Sequence, residues 1–148
     1  MYSGFKLNER DVMADQQKQL ETMVLACIDT AKAMLEKYGI VIPFGLRAFN
    51  DSEDMKMNCP AEKKPDAAWQ EQIELVVTEL KDHVENENIA ATVLVTELSA
   101  EDEKGIGLQI ETVMSSVLFV YPYQKVEDEW VIDEPIQTEQ LLSTVFEH

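Results

Sequence analysis

The chain has 148 residues, of which 45% are hydrophobic and 28% are charged. That length favours one domain spanning residues 1–148, and the hydrophobic content excludes a disordered acidic tail. Acidic residues number 29 against 12 lysines and arginines, which gives a formal net charge of −17. Because such an excess repels phosphate backbones, we expect no direct binding to nucleic acid.

The sequence also argues against several other classes of protein. No apolar stretch reaches about 18 residues, so we predict no membrane span. The N-terminus, MYSGFKLNERDVMADQQ, carries charges where a secretory signal has an apolar core, and we therefore expect a cytoplasmic protein. Cys27 and Cys59 could form one bridge, but nothing in their context suggests a disulfide framework, so free thiols are favoured. No glycine-rich phosphate loop, calcium loop or Cys/His zinc cluster is present, so no cofactor or metal is expected.

The first predicted element is a helix that begins after Asn8 and ends at Tyr38. Apolar residues recur at helical spacing and include Leu20, Val24, Cys27, Ile28, Ala31 and Leu35. Gly39 follows at the position where a left-handed C-cap is expected, since glycine has no Cβ to clash.

Residues 40–59 predict a β-hairpin. Pro43 fits the start of a strand or an edge, and Asn50-Asp51-Ser52-Glu53-Asp54 supplies turn residues. Gly45 could mark a bulge, a positive φ or a close approach of the backbone to a ligand. We predict that Pro43-Phe44-Gly45 has a structural role, which is to join the first helix to the sheet. The alternative is that these residues belong to a ligand site.

A second helix is predicted after a loop, with Asp66 as its N-cap. Its inward residues are predicted to be Trp69, Ile73, Val76, Val77, Leu80 and Val84. From Asp66 to Glu87 the chain holds seven acids and one lysine. The outer face is therefore acidic, with Glu71, Glu74, Asp82 and Glu85 as its candidate partner-binding residues. His83 borders the apolar stripe, and no ligand role is expected for it.

The sequence after the second helix predicts further strands of the sheet and a final helix. Strands are predicted at residues 89–98, 106–113, 117–121 and 130–132, with a helix at 134–146. Strands joined by tight turns are antiparallel. The fold class is therefore α+β, with the order αββαβββ(β)α and an antiparallel sheet of about five strands flanked by helices. This order resembles profilin-like and roadblock-like folds, a likeness that implies no function.

A second likeness lies in short motifs, which are Tyr38 at the end of the first helix, Pro43-Phe44-Gly45, and Pro122-Tyr123 after a late strand. Together they resemble motifs of small bacterial cytosolic proteins and imply no known activity. Such sequences often place a histidine after the glutamate of the strand that precedes the PY motif. Here Glu111 is followed by Thr112, which argues against a Glu–His catalytic pair.

Two functions are compatible with these observations. The first is a non-enzymatic adaptor or antidote-like module that binds a basic protein partner through its acidic helix. Tyr121 and Tyr123 would add an aromatic surface, suited to a homodimer or to another partner, if one sheet face is uncovered. The alternative is a small-ligand sensor or hydrolase with a pocket near Phe44, Gly45, Arg47 and Glu111. Glu97 and Glu111 lie in apolar strands and are expected to point to solvent.

Overall fold

The computed structural model describes residues 9–139 and 145–146, with side chains described from residue 16 onward. The elements in chain order are α1 (Glu9–Tyr38), β1 (Phe44–Phe49), β2 (Met55–Asn58), a 3₁₀ turn (Pro60–Glu62), α2 (Trp69–Asn86), β3 (Ile89–Ala100), β4 (Glu103–Glu111), β5 (Ser116–Val126), β6 (Glu129–Ile132) and β7 (Ile136–Thr138). All paired strands are antiparallel, in the order β2-β1-β3-β4-β5-β6, and β7 pairs with β5. The α+β class is confirmed, with more strands than predicted.

One side of the sheet, the α1 face, is covered by the long first helix. Alternate residues of β1, among them Phe44 and Leu46, join the buried face of α1 in the main hydrophobic core. The helical contribution consists of Met23, Cys27, Ala31 and Leu35. Gly39 ends the helix with a φ of 75°, as predicted for a left-handed C-cap.

The opposite side, the α2 face, carries a second and smaller core. Val76, Val77 and Leu80 of α2 pack there with Leu94 of β3. Gly45 of β1 lies directly beneath this helix, because a Cβ added to it would meet side chains of Val76 and Leu80. Side chains alternate along a strand, so Arg47 lies on the α2 face as well. None of the helices in the described part of the chain is long and apolar enough to span a bilayer.

We predict that Gly45→Ala lowers the free energy of unfolding by about 1–2 kcal/mol through overpacking. The added Cβ would lie 2.9 Å from both Val76 Cγ1 and Leu80 Cδ1. A positive φ, one of the reasons considered for this glycine, is found at Gly39 instead. Urea denaturation of the single variants and of Gly45→Ala/Val76→Ala tests the packing explanation. Strictly additive losses would contradict it, since removing the clashing methyl groups should relieve part of the strain.

The start of α2 differs from the sequence prediction. Ala68, rather than Asp66, is the N-cap residue, and it makes no side-chain capping bond. Trp69, predicted to point inward, is exposed, and Gln72 is buried instead. Gln72 Nε2 donates to Ala67 O at 3.0 Å, whereas the buried Gln72 Oε1 has no hydrogen-bond partner among the described residues.

The predicted end of a strand at Pro122 is wrong, because β5 continues to Val126. The Pro122 carbonyl accepts a bond from the Asp133 amide at 2.8 Å. In an antiparallel strand, the N–H and C=O groups of one residue point to the same neighbouring strand. The Pro122 nitrogen therefore points to the segment that joins β6 to β7. No ladder bond is required there, and the proline is tolerated within the strand.

The predicted helix at residues 134–146 is also wrong where the chain is described. Residues Ile136–Thr138 form β7 instead. Val145 and Phe146 are buried, and Val145 joins the core beneath α2. The remainder of the predicted helix, residues 140–144, lies outside the described residues.

Candidate functional site

A polar cluster joins the C-terminal half of α2 to the β1–β2 hairpin. Arg47 donates through Nε to Glu87 Oε1 at 3.3 Å and through Nη1 to Asn58 Oδ1 at 2.6 Å. Asn58 in turn donates to Glu79 Oε2 at 3.3 Å. Only 9% of the Arg47 side chain is exposed, so its charge is held by these partners rather than by water. The cluster fixes the helix to the edge of the sheet.

His83 completes this cluster. Its Nδ1 is bonded to the Glu87 carboxylate, while Nε2 lies 3.4 Å from Asn58 Nδ2. The hydrogen bond from His83, together with the charge of nearby Arg47, lowers the pKa of the Glu87 carboxyl group. Glu87 therefore stays ionised and serves as the common acceptor for His83 and Arg47.

Sequence reasoning missed this cluster, although one signal was present. Glu79, His83 and Glu87 follow each other at intervals of four residues, which places them on one side of a helix. Asn58 comes from a different element and reaches them only through the fold. No sequence pattern predicts that contact.

The outer face of α2 is an exposed acidic stripe. Glu71, Glu74, Asp82 and Glu85 are all exposed, as the helical spacing predicted, and Lys81 is the one base on the stripe. The described ion pairs are Arg47–Glu87 and His83–Glu87, so none of these four carboxylates is paired within the described residues. At about 1.5 Å of rise per residue, the stripe is about 21 Å long.

The four proposed pocket residues do not form a pocket. Phe44 points to the α1 face and is fully buried, whereas Gly45 and Arg47 lie on the α2 face. Strand register places Arg47 opposite Thr92 and Thr92 opposite Glu111, in one row across three strands. The row is buried, and Thr92 Oγ1 has no hydrogen-bond partner within the described part of the chain. The structure therefore aligns Arg47 and Glu111 in a buried row, and neither residue lines the clefts found among the described residues.

The expectation that Glu97 and Glu111 both point to solvent from an uncovered side of the sheet is wrong. Glu111 is fully buried on the α2 face, where it accepts bonds from Ser116 Oγ and from the Val145 amide, each at 2.8 Å. Glu97 is half-buried on the α1 face and accepts a bond from the Tyr123 hydroxyl. Glu111 lies opposite Thr92, an odd number of positions along β3 from Glu97, so the two side chains project from opposite sides of the sheet.

Tyr121 and Tyr123 also do not form the predicted surface. Both face α1; Tyr123 is buried, and Tyr121 packs against the same core. Burial is the larger cause and the hydrogen bond to Glu97 the smaller cause that raise the pKa of Tyr123 far above its ordinary value. The hydroxyl therefore stays protonated and donates its hydrogen bond to Glu97. Trp130 packs on Tyr123 edge to face, with a centroid separation of 5.8 Å. These aromatic residues stabilise the core.

A cleft among the described residues lies elsewhere, between α1 and the β1–β2 turn. It has a volume of about 860 Å³ and is lined by residues that include Gln19, Thr22, Asn50 and Met55. Gln19 Nε2 donates to Phe49 O at 3.1 Å at its border. None of the predicted site residues lines this open cleft, and it gathers no histidine or cysteine.

The described part of the chain shows no arrangement suited to binding a metal ion and no activated thiol. No group of three or more His, Cys, Asp or Glu residues is arranged to hold a metal ion there. Both cysteines are free, as predicted. Burial raises the pKa of Cys27 to about 12, and burial together with nearby Glu62 raises that of Cys59. Raised pKa values leave both groups as thiols, which are weak nucleophiles.

Comparison with known proteins finds no matching family profile, no matching curated protein and no matching solved structure.

Proposed function

We propose that the protein is a non-enzymatic binding module that docks on a basic protein partner through the acidic stripe of α2. The observation that carries this proposal is the set of four exposed carboxylates at Glu71, Glu74, Asp82 and Glu85, which form no ion pair with any described residue. Unpaired charges of one sign accelerate the approach of an oppositely charged protein. Two free thiols are compatible with a reducing, cytoplasmic location.

The inner side of α2 also supports this role. Val76, Val77 and Leu80 are buried, and the Arg47 cluster holds the C-terminal half of the helix against β1 and β2. A partner would thus meet a helix whose position is already fixed, which reduces the entropy lost on binding. The small-ligand alternative lacks such support, because its residues lie on two faces and are buried.

The test compares a quadruple variant with the wild-type chain. Glu71→Gln, Glu74→Gln, Asp82→Asn and Glu85→Gln together remove four charges and leave the inner face of α2 unchanged. Proteins from the native host that are retained by the wild type and lost by this variant are identified, and their association rates are measured across salt. We expect association to slow by about tenfold or more at low salt. The difference should shrink above about 0.15 M salt, where screening acts within about 8 Å.

A matched variant controls for net charge alone. Glu21→Gln, Asp29→Asn, Glu36→Gln and Glu53→Gln remove the same number of exposed charges away from α2. Both variants should keep wild-type stability, since exposed charges contribute little to it. Equal slowing by both variants would show a general charge effect, and unchanged association of the α2 variant would overturn the proposal.

A further inference from the structure

The α2 face of the sheet is covered unevenly. α2 packs over β1 and β3, whereas along β5, β6 and β7 apolar side chains on the same face are exposed. The exposed fraction is 44% for Val126, 39% for Val131 and 61% for Ile136. We call the surface formed by Val120, Pro122, Val126, Val131 and Ile136 the open face.

Strand register places these residues on one side. Val120 lies opposite Ile136, and Gln124 lies opposite Val131. A Cβ added to Gly105 would meet Val120 Cγ1 at 2.6 Å, so Val120 leans over Gly105 on the α2 face. Alternation along β5 then assigns Pro122 and Val126 to the same side.

The charges that border the open face are negative. Glu129 is paired with Val126, and Glu103 lies two residues before Gly105 on the same side of β4. The neighbouring lysines project from the other face of the sheet. Lys104 is opposite Tyr123, and Lys125 Nζ lies 5.3 Å from the centre of the Trp130 ring, where both aromatic residues pack in the α1 core. The polar Gln124 lies within this face, opposite Val131, and the charged residues named at its border in the described part of the chain are acids. This arrangement favours an occupant that is both apolar and basic.

The dimensions of the open face favour a helix as that occupant. The seven residues from Val120 to Val126 cover about 20 Å along β5, and two strands are about 10 Å wide. A helix with its side chains is about 10–12 Å across, and about 13 helical residues cover 20 Å. α2 already occupies the neighbouring position on the same face, so a second helix beside it would continue that layer of the fold.

We propose that the open face binds an amphipathic helix of a partner protein, with aliphatic residues against Val126, Val131 and Ile136 and with lysine or arginine near Glu103 and Glu129. The apolar contacts supply most of the affinity, since burial of aliphatic side chains is the main favourable contribution. The basic residues set the orientation and the association rate. This surface is separate from the acidic stripe of α2, and its test does not depend on that stripe.

A synthetic peptide is the probe. It has 14 residues, with leucine along one helical face and lysine at the other positions, and it is added to methyl-labelled protein. We expect the methyl resonances of Val126, Val131 and Ile136 to shift, while those of Val113 and Met114 stay unchanged. A peptide with glutamate in place of each lysine should not bind.

Paired variants separate the two contributions. Val131→Ser/Ile136→Ser should weaken peptide binding by about tenfold or more, because two aliphatic contacts are lost. Val113→Ser/Met114→Ser is the matched control, since those residues are 67% and 86% exposed in another turn, and it should bind as the wild type does. Glu103→Gln/Glu129→Gln should reduce the dependence of affinity on salt. Thermal unfolding shows whether each variant is folded, and only folded variants are compared.

Three outcomes would overturn the proposal. Resonance shifts confined to α2 would mean that the peptide binds through charge at the acidic stripe, and the quadruple α2 variant identifies this case by loss of the shifts. Equal binding of the glutamate peptide would remove the charge argument. Concentration-dependent shifts of the open-face methyl groups without peptide would show that a second copy of the chain covers this surface.

Discussion

Phe44→Ala is expected to lower the free energy of unfolding by about 3–5 kcal/mol, the largest loss predicted for a single change in this protein. Phe44 is fully buried in the main core and lies on the strand that contacts both helices. Truncation would remove apolar burial and leave a cavity that the neighbouring strands, held by hydrogen bonds, cannot fill completely. A loss of this size is a large fraction of the total stability of a typical domain, which is about 5–15 kcal/mol.

Chemical denaturation of Phe44→Ala and Phe44→Leu measures this effect. The leucine variant keeps most of the volume and should lose less than about half as much. Exposed Tyr38→Ala is a control for loss of an aromatic side chain, and it should change stability little. If Phe44→Ala unfolds at the wild-type denaturant concentration, the assignment of Phe44 to the core is wrong, and its role in a ligand pocket would have to be reconsidered.

Glu111→Leu is expected to destabilise the protein by about 2–4 kcal/mol through loss of a buried acceptor. The Glu111 carboxylate is fully buried and accepts from the Val145 amide and the Ser116 hydroxyl. Leucine occupies a similar volume but accepts no hydrogen bond, so a buried amide would lose its partner. Hydrogen bonds to charged groups contribute about 1.5–3 kcal/mol each, which sets the size of the expected loss.

Glu111→Gln separates the acceptor from the charge. Glutamine keeps one carbonyl oxygen and should therefore lose less stability than leucine does. Exposed Glu103→Leu, on the same strand, is the matched control and should leave stability nearly unchanged. Hydrogen exchange at the Val145 amide should accelerate in Glu111→Leu beyond the change expected from global stability. Unchanged exchange at that amide would show that the bond is not what holds residues 145–146 against the sheet.

Several features of this protein were determined by the sequence itself. The apolar stripe of α1, the left-handed Gly39 and the acidic outer face of α2 all follow from spacing within one element. The strand predicted to begin at residue 89 is found in the interior of the sheet, between β1 and β4. Each of these properties depends on neighbours a few residues apart, so periodicity is sufficient to predict it.

Turns and chain ends were harder to predict. The β5–β6 turn has positive φ values of 50° at Glu127 and 66° at Asp128, where glycine or asparagine would be expected. The pairing of β5 with both β6 and β7 imposes that turn and makes a strand of Ile136–Thr138. Local preferences there are weak, and the hydrogen bonds of a long neighbouring strand outweigh them.

Which residues meet across the sheet was decided only by the tertiary structure. Arg47, Thr92 and Glu111 form one row because β3 pairs with both β1 and β4 in a particular register, and a slip of one residue would send every side chain to the other face. The same register turns Tyr121 and Tyr123 toward α1 and leaves Val131 and Ile136 exposed. The spacing of residues within a strand determines which of them share a face. It does not determine which helix covers that face, because register is set by packing between residues far apart in the chain.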